Sequence, residues 1–69
     1  MIEMEREIEK IELEISTLER RIESNNYWLE QTSNPMKARR RLQDNKHCKA
    51  KIKELNVILN LLTNQAKNG

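Results

Sequence analysis

Gln31-Thr32-Ser33-Asn34-Pro35 decides the fold of this chain. It lies within NNYWLEQTSNPMKARRR, residues 25–41, which also holds the only Trp, the only Tyr, the only Pro and the densest basic cluster. Asn34 is a strong helix N-cap and Pro35 suits a first helical position. The residue before Pro resists the α region, so a preceding helix must stop before Asn34. A turn of about four residues, 31–34, between two helical patterns forces an antiparallel hairpin.

Outward on the N-terminal side, Met1, Met4, Ile8, Ile11, Ile15, Leu18, Ile22, Asn25 and Leu29 recur at alternating spacings of three and four. This is a heptad seam, and it predicts a long amphipathic helix over about 2–30. Glu residues crowd its first turns, where the helix dipole favours them. Glu3–Arg6 and Glu7–Lys10 are expected pairs on one face. Asn25 breaks the apolar seam. A buried Asn is a known register device, but fraying beside the turn is the reading taken here.

On the C-terminal side the same spacing runs through Ala38, Arg41, Asn45, Cys48, Ile52, Leu55, Leu59, Leu62 and Ala66. A second helix is expected over about 35–66. The hairpin should set Ile8, Ile11 and Ile15 against Leu59, Leu55 and Ile52. It should set Ile22 and Asn25 against the region of Arg41 and Leu42, where the seam is polar. A tight far end and a loose turn end follow.

Composition agrees with an all-α chain. The 69 residues are 36% hydrophobic, 3% aromatic and 35% charged, with one Gly (Gly69) and one Pro. Strands would need β-branched and aromatic runs bounded by turn residues, and these are missing. A single domain this short buries little surface, and with Cys48 as the only cysteine no disulfide can help. Val57, Ile58 and Leu61, with Leu13 and Ile2 on the first helix, lie beside the seam as surplus apolar surface. A homodimer forming a four-helix bundle is therefore expected, with Leu13, Val57, Ile58 and Leu61 at its interface.

No leader or membrane span is expected: the N-terminus is acidic from its third residue, and the longest apolar run is Val57-Ile58-Leu59. Together with the lone thiol, this reads as a cytoplasmic protein that does not engage a membrane.

Enzymatic signals are weak. The Glu residues belong to a solvated helix face. There is no Gly-rich phosphate loop, because there is no internal glycine. Asp44, His47 and Cys48 share a helix side, which is too few ligands for a metal centre without a second chain. No catalytic residue, metal or cofactor is expected, and no motif identifies a family.

Charge is the feature above background. Residues 1–34 carry nine Glu against four Lys or Arg, while residues 35–69 carry nine Lys or Arg against Asp44 and Glu54. Lys49, Lys51 and Lys53 are expected to pair with Glu12, Glu14 and Glu19 across the hairpin. A positive excess remains at the turn end, beside both aromatics. Tyr27, Trp28, Lys37, Arg39, Arg40, Arg41 and Lys46 are the candidate binding residues. Trp, Tyr and Arg together make protein hot spots, so a non-enzymatic regulatory binder, an inhibitor or adaptor of a partner protein, is the first reading. Nucleic-acid or nucleotide binding through the same surface is the second.

Overall fold

The computed structural model describes residues 2–68, and side chains over 3–67. Helix α1 runs Ile2–Gln31 and helix α2 runs Pro35–Asn68. Only Thr32, Ser33 and Asn34 lie between them. The hairpin is a rod with extents of 53 × 15 × 13 Å, and α2 alone accounts for about 51 Å at 1.5 Å per residue. Met1 and the side chain of Ile2 lie outside the described residues.

The turn closes as its residue types dictate. Asn34 Oδ1 accepts from the backbone N–H of Met36 at 3.0 Å and of Lys37 at 3.3 Å. These are two of the N–H groups that a helix start leaves orphaned. Pro35 has none to satisfy. Thr32 closes α1 by donating its N–H to Trp28 O at 2.9 Å, and its hydroxyl oxygen accepts from the Asn34 N–H at 3.2 Å. Among the described residues none has positive φ, so the chain reverses without the left-handed residue that many helix ends use.

The apolar core sits away from the turn, as the heptads predict. Ile11, Ile15 and Leu55 are buried, with Leu18, Ile52, Leu59 and Leu62 packed against them. Cys48 is completely buried where this core meets the polar end.

The turn end differs from expectation. Asn25 is neither frayed nor exposed: it is 5% exposed, and Asn45 opposite it is 6% exposed. Every described seam position from Met4 to Leu62 is buried or half-buried, through the polar stretch as well. The register is also shifted. Asn25 meets Asn45 and Asp44 as well as Arg41, and Leu42 is out of the seam at 58% exposed. The loose end inferred from polar residue types is closed by hydrogen bonds instead.

The charge pairing expected across the hairpin is not formed. Among the described residues the ion pairs are Arg21–Asp44 at 2.8 Å and Lys51–Glu54 at 3.9 Å. Lys49 and Lys53 reach no Glu of α1, and Glu3–Arg6 and Glu7–Lys10 do not close. Exposed pairs gain too little in water to hold two long side chains in one geometry.

No helix among the described residues is long and apolar enough to cross a membrane.

Candidate functional site: the polar and aromatic turn end

Asn25 organises the turn end. Its Nδ2 donates to Asp44 Oδ2 at 2.8 Å and to Asn45 Oδ1 at 2.9 Å. Its Oδ1 accepts from Arg41 Nη1 at 3.0 Å. Both donors and the carbonyl oxygen of one amide are thus used. Asn45 Nδ2 continues the chain to Asn26 Oδ1 at 2.8 Å. Among the described residues no buried side-chain nitrogen or oxygen lacks a partner. A buried polar network stabilises only when it is complete, and this one is.

Asp44 accepts a second bond on the same oxygen, from Arg21 Nε at 2.8 Å. The Asn25 amide holds the Asp44 carboxyl below its usual range, with Arg21 adding by hydrogen bond and charge and His47 by charge; partial burial opposes them.

The aromatics stand on this network. Arg41, tethered at Asn25, places its guanidinium carbon 5.6 Å from the Trp28 ring centroid. Tyr27 meets Trp28 edge to face, with centroids 5.4 Å apart and planes at 86°. Trp28 remains 48% and Tyr27 57% exposed. Trp28, Gln31, Thr32, Lys37 and Arg41 line a groove of about 300 Å³ between the helix ends. A second groove of about 430 Å³ adjoins it, lined by Arg21, Ser24, Asn25, Arg40, Arg41 and Asp44.

The candidate binding residues divide accordingly. Trp28, Lys37, Arg40 and Arg41 share one flank of the hairpin, with Tyr27 at its edge. Arg39 and Lys46 line neither groove: at 100° per residue each falls on the far side of α2 from Trp28. Arg41 is half-buried and contacts Asn25 and Trp28, so it supports the site while its guanidinium, without an ion pair among the described residues, lines both grooves. Lys37, Arg39, Arg40 and Lys46 form no ion pair among the described residues.

Sequence reasoning missed Arg21, Asn25 and Asp44 as members of this site. The signal was present in the heptad phase. Asn25, Arg41 and Asn45 all occupy seam positions, and Arg21 and Asp44 occupy the flanking positions that meet in an antiparallel pair.

The four residues expected at an oligomer interface are all exposed: Leu13 69%, Val57 57%, Ile58 40% and Leu61 60%. They do not form one face. Leu13 lies midway between the seam residues Ile11 and Ile15, so it points directly away from α2. Val57, midway between Leu55 and Leu59, points directly away from α1. Leu13 and Val57 therefore stand on opposite outer sides of the rod, not beside the seam.

No group of three or more His, Cys, Asp or Glu that could hold a metal ion occurs among the described residues. His47 is exposed and Cys48 buried, so the two diverge. No protein-family model matches the chain, and neither a curated protein nor a solved structure matches it.

Proposed function

We propose that this chain is a small non-enzymatic regulatory binding protein, an inhibitor or adaptor, that self-associates and engages a partner protein through the Trp28 flank of its turn end. One observation carries this reading. Trp28 is half-exposed yet held from behind by Arg41, which is itself fixed by the buried Asn25. An aromatic anchor ordered before binding loses little freedom on association, which is what a hot spot requires. Lys37 and Arg40 beside it favour an acidic contact surface on the partner.

Nucleic-acid or nucleotide binding is the second reading. Lys37, Arg39, Arg40 and Lys46 have no acidic partner among the described residues, which leaves them available to phosphates.

Affinity capture from the source cell with wild-type and Trp28→Ala bait, with and without nuclease and across a salt series, separates the two. A protein partner is lost with Trp28→Ala, survives nuclease and weakens modestly with salt. A phosphate ligand is lost with nuclease, or collapses steeply between low and moderate salt. Capture unchanged by Trp28→Ala and by Lys37→Ala with Arg40→Ala removes the turn end from both readings.

A further inference from the structure

The flank opposite Trp28 carries two stripes of opposite charge. The Arg21–Asp44 contact shows which sides of the helices share a flank. On the other flank, α2 presents Arg39, Lys46, Lys49 and Lys53, and α1 presents Glu12, Glu19, Glu23 and Glu30, each set following the three-and-four spacing of one helix face. All eight are exposed. None takes part in an ion pair among the described residues.

Their heights along the rod coincide. Arg21 lies beside Asp44 and Asn25 beside Asn45. Carrying these pairings along both helices sets Glu30, Glu23, Glu19 and Glu12 level with Arg39, Lys46, Lys49 and Lys53. Most of these side chains point out of the hairpin rather than across it, so the stripes run side by side without closing on each other.

We infer that a second copy of this chain docks on this flank, its α1 laid over the α2 of the first. The proposal rests on the self-association proposed above and names its surface and geometry. Charge decides between the two ways of stacking the flanks. A two-fold axis across the rod would lay Glu over Glu and Lys over Lys. A two-fold axis along the rod lays each Glu stripe on a Lys and Arg stripe at matching height. It also brings both turn ends to the same end of the dimer and leaves both Trp28 flanks outward. Leu42, 58% exposed between Arg39 and Lys46, supplies an apolar contact within the face. The stripes cover about 27 Å of the 53 Å rod, on the order of 400 Å² per copy, and the rest of the face extends the contact toward the size of a standard interface.

The test uses sedimentation equilibrium on three full-length chains: wild type, a variant with Lys46→Glu, Lys49→Glu and Lys53→Glu, and a variant with Glu12→Lys, Glu19→Lys and Glu23→Lys. Wild type is expected to be dimeric at low salt, with Kd rising about tenfold or more by roughly 500 mM NaCl as the charges are screened. Each variant alone should be monomeric, and an equimolar mixture of the two should be dimeric, since every stripe then meets its opposite. Spin labels at Ser33→Cys in a Cys48→Ala background should lie within about 30 Å of each other, against roughly 50 Å for turn ends at opposite ends of a rod this long. A wild-type dimer insensitive to salt and to both charge reversals, but lost with Val57→Asp and Leu61→Asp, overturns this surface and leaves self-association standing. A mixture that stays monomeric while wild type dimerises also overturns it. Wild type monomeric under all conditions removes the surface and the self-association together.

Discussion

Asn25 is the residue on which the turn end depends. Replacing it by Ala takes a partner from Asp44, Asn45 and Arg41 at once; Asp44 keeps Arg21, and the buried side-chain carbonyl oxygen of Asn45 is left without a donor. A buried group left without its partner costs about 1–3 kcal/mol, so Asn25→Ala should lower stability by about 2 kcal/mol or more. Thermal unfolding reads this as a drop of roughly 10 °C for a domain of this size. Arg41 loses its tether in the same variant, so the Trp28 emission spectrum should shift before unfolding begins. An unchanged spectrum would mean that Arg41 does not need Asn25 to hold the indole.

Asp44 sets the acid response. Its folded-state pKa is depressed, by Asn25 first and then Arg21. A depressed carboxyl contributes stability that is complete above its unfolded value of about 3.9 and is lost as pH falls through the lower folded value. Stability should therefore fall with acid below about pH 4. Asp44→Asn should flatten that part of the profile while lowering stability at neutral pH. Chemical denaturation of both proteins between pH 2 and 7 checks it, and parallel profiles would remove Asp44 as the source.

At the scale of the element, α2 is the longer helix and starts under tight control. Asn34 caps it through two N–H groups and Pro35 presets its first turn. Asn34→Ala should cost about 1 kcal/mol. Because that cap also sets where α2 enters the hairpin, amide exchange should rise first at Met36 and Lys37. Seam chemistry makes a second element-scale prediction. Asn25→Leu with Asn45→Leu replaces a polar pair by an apolar one, which removes the desolvation cost of the pair. Asp44 and Arg41 still lose Asn25 as a partner, so the double variant should be less stable than the parent in thermal unfolding, but by less than the sum of the two single changes. Its cost should also appear in register: disulfide capture between Cys48 and a cysteine placed at Ile22, in the seam layer next to Asn25 and Asn45, should become incomplete, because two apolar seams slide where two amides do not.

At the scale of the whole molecule, the rod is thin. Among the described residues only Ile11, Ile15, Leu55 and Cys48 are buried apolar side chains, and eight large hydrophobics stay exposed. If the hairpin stands with a second copy, its unfolding temperature must rise with protein concentration by mass action. Scans from low micromolar to hundreds of micromolar check this, and a midpoint independent of concentration would mean a self-sufficient hairpin. The two flanks then divide the labour proposed here, one for a second copy and the Trp28 flank for another partner.

The sequence by itself determined the hairpin. Heptad spacing, a lone Pro after a capping Asn and the absence of other helix breakers leave one arrangement of two long helices, and the core at Ile11, Ile15 and Leu55 follows from the seam. These are local signals, each readable within a few residues. What the turn end becomes was decided only in tertiary structure. Asn25, Arg41 and Asn45 are polar at seam positions, which residue type alone reads as a failed core. Whether such a group frays or is buried depends on what stands opposite, and that depends on a register that a shift of one turn would change. With Asn45 and Asp44 brought level, one amide finds three partners, and a stretch that looked loose becomes the support of Trp28. The same register decides which charges are used: it closes Arg21 on Asp44 and leaves the Glu stripe of α1 and the basic stripe of α2 open, side by side on the opposite flank.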